Sequence, residues 1–590
     1  MDTDSTEPAR KTVLISAEHR RGHGSGHLYR CARLVRELDG EIDWLLPEHG
    51  DSHLRGREEV MRMVGISDLP VRWIDQPEGP YDIAVLDQRS TSLQHLHELN
   101  CRGIVIGIDV AGEARSYVHY AVDTLEPAPG IGAANITDTG LLHLPERVRD
   151  DWPEEIRSVL VVFGGEGSDD EAVSRAREIS AAGDWTVTVV TRSERSGSEG
   201  VRTLTTRGAL PDELHRFDVV VTHFGLTAYE ATWARVPVIL LNPSAYHERL
   251  ARSAGFVTVR TVSEAIRRLS DRPALTEAGQ RIRPRGRSSL AHLINDLSLP
   301  HRTTAPVTGA RFSPAIERFG ERTFFREDQT DLMFMQRYRP VRVSYDHDYF
   351  FSDYQKQYGK TYLEDFPHIK AMGERRLADI LNAVPHGDGR APGGHERPRL
   401  LDVGCAYGPF LQAAAEGGMV PTGLDISQDA VSYVERELGF AAYVGDIRTV
   451  SPAEVGGPFD IVTMWYVIEH FPDLDTVLDR VSHLIHPGGL FAFSTPNARG
   501  ISGRRNVREF LRQSPDDHYT IMDRRSAGRV LEQFGLQVVA VRFTGHHPER
   551  FGLPLGSDGV LHQGARYRMV GAISRLMNLG DTFEVIAKKE

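Results

Sequence analysis

Apolar and amphipathic segments alternate along three stretches of the chain. In the first stretch, the apolar runs TVLISA and EIDWLLP enclose the amphipathic run HLYRCARLVREL, and further strands are predicted at Tyr81–Asp87 and Gly103–Asp109. Strands that alternate with amphipathic helices predict a parallel sheet with helices on both faces. The fold class predicted for this stretch is therefore α/β.

A second stretch repeats the pattern after a polar interruption at Asp150–Pro153. Two such sheets with a cleft between them would bind ligands at the carboxyl ends of their strands. The predicted elements are a helix at Glu171–Ala182 and strands at Ser158–Gly165, Thr186–Thr191, Phe217–Gly225 and Pro237–Asn242.

The third stretch begins at Arg399–Gly408, which reads RLLDVGCAYG. An apolar strand ends there at a turn of small residues that opens a helix, and Asp425 follows the turn by about 20 residues. Such a turn lets backbone N–H groups approach a ligand, and the acidic residue lies where ribose hydroxyls would lie. Dinucleotide-binding proteins use a similar device, so the spacing alone is only moderately specific.

Composition and charge narrow the function classes. The 590 residues carry a formal net charge of −13 without a strongly basic tract, which disfavours a nucleic-acid substrate. The three cysteines are widely separated, which fits a reducing cytoplasm better than a disulfide scaffold. No apolar run approaches a membrane span, and the polar N-terminus lacks a signal peptide. We therefore expect a cytoplasmic protein and leave peripheral membrane contact and oligomeric state open.

The motifs after Asp425 form an ordered series. Gly445-Asp446-Ile447 is followed by FDIVTMWYVIEHF at Phe459–Phe471 and by HPGGLFAFSTPN at His486–Asn497. Together with the turn at Arg399–Gly408, this series resembles the class I S-adenosylmethionine (SAM) methyltransferases. The resemblance implies a Rossmann-like domain over residues 346–590, with SAM as its cofactor and methyl transfer as its reaction.

The resemblance also assigns roles within the cofactor site. Asp402 would orient the turn and the methionine amino group, and Asp425 would take the ribose hydroxyls. Asp446, with Ile447, would take the adenine edge. Alanine stands at a turn position that is often glycine in this family, and it permits nearly the same approach provided that its φ is negative. The implied cofactor-binding residues are Asp402, Gly404, Ala406, Gly408, Asp425, Asp446 and Ile447.

Several residues are candidates for the base in methyl transfer. His470 and His518 are the first choices, and His347 and Tyr349 follow in an aromatic segment. His347 is more simply read as a surface histidine, and the tyrosines of that segment as a packed core stripe. Glu469-His470 recurs in the family at this loop, so its presence alone says little about chemistry.

Residues 296–345 interrupt the α/β pattern and are predicted to be a linker or a ribbon. Many methyltransferases of this type carry a small zinc ribbon just upstream of the domain. The stretch Arg311–Arg339 has similar spacing but no cysteine, which suggests a remnant that holds no metal. Without a cysteine or carboxylate–histidine cluster at ligand spacing, the sequence predicts no metal site.

The first two stretches carry glycine turns before helices. They lie at Gly22–Cys31, at Phe163–Ala172 and within His223–Phe256. Over residues 12–295 these motifs resemble nucleotide-sugar enzymes of the GT-B fold. The closer match is the UDP-sugar hydrolase of pseudaminic acid synthesis, and the other is the peptidoglycan GlcNAc transferase.

This second resemblance implies that His27 acts as a base near the anomeric carbon and that Glu230 binds the ribose hydroxyls. The chain departs from the pattern at His223-Phe224 and at His247-Glu248, where the family has small residues and an Asn-Gln pair. These departures put the donor sugar in doubt. The implied nucleotide-sugar-binding residues are Gly24, Gly26, Gly164, Gly165, Gly225, Thr227 and Glu230.

The predicted fold is thus two Rossmann-like halves of a GT-B unit followed by a class I methyltransferase domain. The domains are expected at 1–10 (disordered tail), 11–150, 151–295, 296–345 and 346–590. The predicted function is bifunctional: methyl transfer from SAM, plus hydrolysis of a nucleotide sugar or transfer of its sugar to a glycan or sugar acceptor. Two alternatives stay open, namely a methyltransferase whose first half only binds a sugar ligand, and a scaffold whose two sites have decayed.

Overall fold

A computed structural model describes most of the chain and divides it into two compact units. Unit 1 comprises Met1–Leu299 with Arg318–Glu321, and unit 2 comprises Pro300–Glu317 with Arg322–Glu590. The described residues are 10–20, 26–50, 53–64, 69–127, 130–163, 169–191, 200–205, 210–340, 355, 359–383, 391–552 and 565–590.

The first sheet of unit 1 has the order β3-β2-β1-β4-β5-β6-β7, and its paired strands run parallel. Its central strand β1 is apolar and buried on both faces, as a parallel sheet requires. The strands are β1 (Thr12–Ala17), β2 (Glu41–Leu45), β3 (Arg72–Ile74), β4 (Tyr81–Asp87), β5 (Cys101–Ile108), β6 (Tyr120–Asp123) and β7 (Ile136–Thr137).

The second sheet of unit 1 is also parallel, in the order β10-β9-β8-β11-β12-β13. Its strands are β8 (Ser158–Val162), β9 (Thr186–Val190), β10 (Val201–Leu204), β11 (Val219–Thr222), β12 (Val238–Leu241) and β13 (Val257–Val259). The α-helices described in unit 1 are α1 (Gly26–Leu34), α2 (Arg57–Val64), α3 (Leu93–Glu98), α4 (Asp169–Ala181), α5 (Leu210–Glu213), α6 (Leu226–Trp233), α7 (Ala245–Ser253), α8 (Val262–Leu269), α9 (Arg272–Ile282) and α10 (Leu290–Asn295).

Unit 2 is built on one large sheet and one small one. The large sheet has the order β19-β18-β17-β20-β21-β24-β23. The strands from β19 to β21 are parallel, and β24 is antiparallel to both of its neighbours, β21 and β23. The order reverses between β17 and β20, and ligands of open α/β sheets bind at such a switch point. Its strands are β17 (Arg399–Val403), β18 (Val420–Asp425), β19 (Ala441–Val444), β20 (Phe459–Trp465), β21 (Ile485–Pro496), β23 (Leu536–Thr544) and β24 (Thr582–Lys589).

The small sheet joins distant parts of the sequence. Its order is β14-β15-β16-β22, and β16 pairs antiparallel with both β15 and β22. The stretch interpreted as a linker or ribbon thus supplies three strands to a sheet that the methyltransferase stretch completes. The strands are β14 (Ala315–Phe319), β15 (Arg322–Arg326), β16 (Met333–Arg337) and β22 (Thr520–Ile521).

The helices of unit 2 cover the large sheet and its carboxyl edge. The first of them begins at Tyr362, because Thr361 and Glu364 exchange hydrogen bonds that cap it. The described α-helices are α11 (Tyr362–Ala383), α12 (Pro409–Glu416), α13 (Gln428–Tyr433), α14 (Leu474–Leu484), α15 (Ile501–Arg505), α16 (Val507–Gln513), α17 (Arg524–Glu532) and α18 (Ala565–Leu576).

The predicted α/β class with parallel sheets is confirmed in both units. Of the predicted disordered tail, only Arg10 lies among the described residues.

Candidate functional site

The turn between β17 and α12 is shaped by glycines with positive φ. Gly404 has φ +72° and Gly408 has φ +79°. A Cβ at Gly404 would lie 2.5 Å from Cγ2 of Val467, and one at Gly408 would lie 2.8 Å from Cδ1 of Leu438. Both positions therefore require glycine for conformation and for space.

Ala406, in the same turn, has φ +47°. The condition under which alanine would permit nearly the same approach as glycine, a negative φ, is therefore not met, and a left-handed alanine costs about 1–2 kcal/mol. Its backbone N–H donates to Oδ2 of Asp425 at 2.9 Å, which holds the residue in this conformation. The turn therefore stores strain where the cofactor is expected to bind.

Asp425 ends β18 and ties the turn to the next helix. Its Oδ2 accepts from Ala406 N and its Oδ1 from Ser427 N, both at 2.9 Å. Burial raises the pKa of Asp425, although these backbone hydrogen bonds oppose the shift. Each carboxylate oxygen keeps a second lone pair, so the side chain can still accept from a ribose hydroxyl.

Asp402, at the end of β17, is buried and accepts from Oγ1 of Thr463 at 2.6 Å. Burial raises its pKa to about 7, while the hydrogen bond from Thr463 and the charge of Arg376 act in the opposite direction. A cationic group next to this carboxyl would favour its ionised form. The methionine amino group of a bound cofactor has that charge.

Asp446 and Ile447 follow β19. Burial would raise the pKa of Asp446, but hydrogen bonds from Arg448 lower it below its ordinary value. The side chain of Ile447 packs in the core of the domain, which leaves only its main chain for an adenine edge.

Glu469 lies just beyond β20, in the short helix Ile468–His470, and is buried. Within the described part of the chain, neither of its carboxylate oxygens has a hydrogen-bond partner. The same holds for Oγ1 of Thr495, Oγ1 of Thr520 and Nδ1 of His518. Burial raises the pKa of Glu469 to about 7, against the opposing effects of His470 and of the Thr495 hydroxyl, which lies close by without meeting the geometry of a hydrogen bond. Buried polar atoms without partners are costly, and a cluster of them indicates a place for a ligand.

His470 and His518 flank this carboxyl group, with ring centroids 4.8 Å apart. Burial would lower the pKa of His470, but the hydrogen bond and charge of Asp517, 3.0 Å from its Nδ1, raise it. Burial and the neighbouring His470 lower the pKa of His518 to about 4. The pKa values of the two rings are thus shifted in opposite directions, an arrangement that favours one ring as proton donor and the other as acceptor.

Arg322, on β15, holds the loop that carries Asp517 and His518. Its guanidinium donates to the carbonyls of Leu511 (3.2 Å), Arg512 (2.7 Å), Ser514 (2.9 Å) and Pro515 (3.4 Å), and to Oδ1 of Asp516 at 3.1 Å. At the end of this loop, Tyr519 N donates to the Glu469 carbonyl and Tyr519 O accepts from Met335 N. The small sheet therefore fixes the loop against the segment that carries Glu469.

Among the residues that the structure describes, two groups could hold a metal ion, which the sequence spacing did not indicate. Glu469, His470 and His518 place one ligand atom each within 4.8 Å of one another. A second group, at the amino end of β20, consists of His395, Asp460 and His486. Folding assembles both groups from separated segments, which spacing along the sequence does not reveal, and the absence of a metal site stays a prediction.

In unit 1, His27 opens α1 and is buried against Asp87, the last residue of β4. Its Nδ1 lies 2.5 Å from Oδ1 of Asp87. Arg30 donates to both oxygens of Asp87, from Nε at 2.8 Å and from Nη2 at 2.6 Å, and also to Asp109. Burial would raise the pKa of Asp87, but Arg30 and His27 hold it far below its ordinary value. An ionised Asp87 therefore orients the imidazole, as in hydrolytic triads.

Glu230 lies on α6 of the second sheet and is also buried. Burial raises its pKa to about 7, while the charge of Arg33, on α1, acts in the opposite direction. Gly225 caps the N-terminus of α6, and Thr227 lies in its first turn, where its hydroxyl interacts with Glu230 and opposes the rise of the pKa of that carboxyl. A Cβ at Gly26 would lie 3.2 Å from Leu226, so α1 and α6 are in close contact. His27 and Glu230 thus lie on neighbouring helix starts.

The residues that depart from the family pattern also lie near these helices. Burial lowers the pKa of His223 to about 4, and Nε2 of this residue has no hydrogen-bond partner among the described residues. Nε2 of His247 lies 3.3 Å from Nη1 of Arg89, so this contact joins a residue that follows the first sheet's β4 to a residue on α7 of the second sheet. The Glu248 carboxylate accepts hydrogen bonds from Asn242 and Thr258 and so links the segments before and after α7.

Five predicted site residues lie outside the described residues. They are Gly24, Gly164, Gly165, His347 and Tyr349.

Three further residues of these sites were not predicted from the sequence. Asp87 could have been found, because it is the polar end of the apolar strand YDIAVLD. Glu469 was set aside as a family feature, and burial without partners is visible only in the structure. Arg322 gave no signal, because its partners are main-chain carbonyls nearly two hundred residues away.

No helix in the described ranges is long and apolar enough to cross a membrane.

Known proteins match the C-terminal part of the chain. A family model described as a methyltransferase domain matches residues 369–541. The ubiquinone biosynthesis O-methyltransferase of Sinorhizobium fredii is 30% identical over 175 residues, which cover 28% of this chain and 71% of that protein. The enzyme of the same name from Aromatoleum aromaticum is 27% identical over 170 residues, covering 27% and 73%. A SAM-dependent methyltransferase structure from Archaeoglobus fulgidus is 18% identical, with a TM-score of 0.28, and covers 40% of this chain and 98% of that one.

Proposed function

The chain belongs, through its C-terminal part, to the SAM-dependent methyltransferases, and on that premise we propose that unit 2 methylates a hydroxyl group with Glu469 as the base. SAM is its cofactor and supplies a methyl group activated by the sulfonium. The choice of oxygen as acceptor is supported by the names of the two curated relatives, which are O-methyltransferases.

The cofactor site is the turn after β17 with the ends of β18 and β19. The backbone of the turn Gly404–Gly408 lies at the start of α12 and would pass against the methionine part, with the N–H groups of Gly404, Cys405, Ala406 and Gly408 donating within the protein. Asp402 would receive its amino group, and Asp425 would accept from the ribose hydroxyls. The adenine would lie beside Asp446, with the main chain of Ile447 at its edge.

The acceptor site is the buried cluster beyond β20. This strand neighbours β17 in the sheet, so Glu469 lies at the same edge as the cofactor turn. As the acceptor oxygen attacks the methyl carbon, its proton passes to the Glu469 carboxylate, and the carbon–sulfur bond breaks with its electron pair left on sulfur. A base with a pKa of about 7 suits this role at neutral pH. His518 and His470 would hold the acceptor in place by hydrogen bonds.

One observation carries this proposal: both carboxylate oxygens of Glu469 are buried and without a hydrogen-bond partner within the described chain, next to the rings of His470 and His518. The test is the release of S-adenosylhomocysteine from SAM by the full chain, with a panel of catechols, phenols and sugars as acceptors. We expect Glu469→Gln to bind SAM normally and to lose about 10²–10⁴ in rate on the best acceptor. Full turnover by this variant would remove Glu469 from the reaction.

The cofactor assignment has its own experiment. Replacing Asp425 by Ala leaves ribose hydroxyls without a partner, which costs about 1–3 kcal/mol. Calorimetry on the full chain should show SAM binding that is about tenfold weaker or worse. An unchanged affinity would show that Asp425 does not contact the cofactor. Glu416→Ala, on the exposed end of α12, is the matched control.

A second function is favoured by the ionised Asp87 against His27 in unit 1. Here the two parallel sheets would be the halves of a GT-B unit that hydrolyses a nucleotide sugar or transfers its sugar. His27 would take the proton of the attacking oxygen, and Glu230 would bind the nucleotide ribose. Gly26, Gly225 and Thr227 would approach the diphosphate, as would Gly24, Gly164 and Gly165.

This second function predicts two different defects. A panel of UDP- and CDP-sugars is incubated with the full chain, with and without glycan acceptors, and free nucleotide is measured. His27→Ala should lower turnover by about 10²–10⁴ while nucleotide binding survives. Glu230→Gln should weaken nucleotide binding instead. If no nucleotide sugar binds the unmutated chain, unit 1 has another role and the methyltransferase remains.

A further inference from the structure

Helix α18 projects from the edge of the sheet that carries the proposed cofactor and acceptor sites. It lies between β23, which ends at Thr544, and β24, which begins at Thr582. Thr582 pairs with both Thr544 and Pro496, the last residue of β21. Because β21 runs parallel to β20, this is the carboxyl edge, where Asp425 and Glu469 also lie.

One face of α18 packs on the domain and the neighbouring face is apolar and exposed. Val570 and Ser574 are buried, and Oγ of Ser574 lies 2.8 Å from Nδ1 of His546. The exposed residues recur at the spacing of a single helical stripe. They are Met569 (57% exposed), Ile573 (39%), Leu576 (84%) and Met577 (56%).

The charge of this helix has the opposite sign to that of the whole chain. Its sequence, ARYRMVGAISRL, contains three arginines and no acidic residue, whereas the full chain has a net charge of −13. Arg568 and Arg575 lie on one side of the apolar stripe, and Arg566 lies at its N-terminal end. The preceding turn contributes Glu549, which accepts from the hydroxyl of Tyr567 and from the His547 ring.

We propose that α18 lies flat in the headgroup region of an anionic phospholipid bilayer, with its apolar stripe towards the acyl chains. A short amphipathic helix with arginines beside an apolar face is the form of an interfacial membrane helix. The arginines would contact lipid phosphates, a favourable contribution for each charge near an anionic surface. Charge complementarity therefore selects an anionic bilayer over a neutral one as the occupant of this face.

The exposed arginines of α15 extend the same basic surface. Arg505 donates to the carbonyl of Arg550, whose own guanidinium donates to Asp581 at 2.8 Å. This places α15 beside the turn that precedes α18. Arg504 donates from Nε to the Arg499 carbonyl at 2.9 Å and is exposed. A bilayer on the apolar stripe would thus meet basic side chains from two neighbouring helices.

The experiment is co-sedimentation of the full chain with vesicles. We expect binding to vesicles that contain phosphatidylglycerol, weaker binding at high salt, and little binding to pure phosphatidylcholine. The double variant Ile573→Asn/Leu576→Asn should lower the affinity for the anionic vesicles by about tenfold or more. Arg568→Gln/Arg575→Gln should lower it as well and should reduce the salt dependence.

The matched control changes exposed apolar residues elsewhere in unit 2. Leu381 on α11 is 40% exposed and Val539 on β23 is 46% exposed, so Leu381→Asn/Val539→Asn should bind vesicles normally. SAM calorimetry on every variant separates this proposal from the methyltransferase, because neither helix face enters the cofactor site. Equal binding to neutral vesicles, or full binding by the Ile573/Leu576 variant, would overturn the proposal. If the unmutated chain binds no vesicle, the bilayer is excluded and a protein is left as the occupant.

Discussion

Oδ2 of Asp517 lies 3.0 Å from Nδ1 of His470, and this contact joins the loop before β22 to the segment after β20. The contact raises the pKa of His470, whereas burial lowers the pKa of the neighbouring His518 to about 4. Two loops that are distant in sequence thus share one proton-binding site.

The first prediction concerns Asp517→Asn. A raised pKa in the folded state stabilises the protein fully below the unfolded pKa, near 6.5, and the gain is lost as pH rises through the folded pKa. The variant should therefore be less stable than the unmutated chain by about 1–3 kcal/mol at about pH 5.5, with a smaller difference at about pH 8.5. Urea unfolding at the two pH values measures this, and a difference that grows with pH would contradict the assignment.

The second prediction is that Glu469 limits the rate below neutral pH. Since its pKa is about 7, methyl transfer at saturating SAM should rise with pH through that value as the carboxylate forms. In Glu469→Gln the inflection should vanish along with most of the rate. A retained inflection in this variant would assign it to another group, and His470→Gln would then be the next variant to measure.

The third prediction is the stability effect of the same substitution. A buried carboxyl with a raised pKa binds its proton more tightly when folded, so it destabilises the protein above about pH 7 and has no such effect below about pH 4.5. Glu469→Gln should therefore raise the free energy of unfolding by about 1–3 kcal/mol at about pH 8. Loss of activity together with a gain of stability is expected where a catalytic residue destabilises the folded state. Destabilisation at pH 8 would show that the ionised carboxyl has partners.

The fourth prediction concerns Ala406→Gly. Replacing alanine by glycine in ordinary backbone costs about 0.4–1 kcal/mol through the unfolded chain. At φ +47° the substitution also removes a left-handed strain of about 1–2 kcal/mol, so we expect no loss of stability or a gain of up to about 1 kcal/mol. Ala414→Gly, inside α12, is the control and should be destabilising. Thermal unfolding compares the two, and equal losses would show that Ala406 is unstrained.

The fifth prediction concerns Arg322→Met. The substitution leaves the carbonyls of Leu511, Arg512 and Ser514 without their donor, which should cost about 2–4 kcal/mol and loosen the loop that carries His518. SAM affinity should survive, because the cofactor turn lies on other elements, whereas methyl transfer should fall. Arg436→Met, at an exposed position, is the control. Equal losses in SAM affinity and turnover would show a general collapse of unit 2 instead.

The cofactor turn could be predicted from the sequence because it is local. Gly404, Gly408 and Asp425 lie within one strand–helix–strand passage, so their spacing already determines their geometry. The sign of φ at Ala406 could not be predicted, since it depends on the hydrogen bond to Asp425.

His470 and His518 were singled out from the sequence, but their grouping with Glu469 could not be predicted, because folding brings Glu469 and His518 together from separate segments. The same is true of Asp87 and Arg30 in unit 1, which lie on β4 and α1. Burial, which shifts the pKa of each of these carboxyl groups, is a property of the packed sheet and not of the local sequence. The parallel α/β pattern itself was evident from the alternation of strands and helices.

The pairing of β16 with β22 has a consequence for how unit 2 is made. Met333 pairs with Ile521, so β16 leaves the ribosome early and cannot pair with β22 until that strand has been synthesised much later. Domains generally fold as units during synthesis, starting from the N-terminus, and pairings distant in sequence are slow to form. Until Ile521 emerges, the apolar residues of β15 and β16 have no fourth strand, and this nascent ribbon is the part of the chain most in need of a chaperone. A gene fragment that starts at residue 346 would omit the ribbon altogether and leave β22 without its partner.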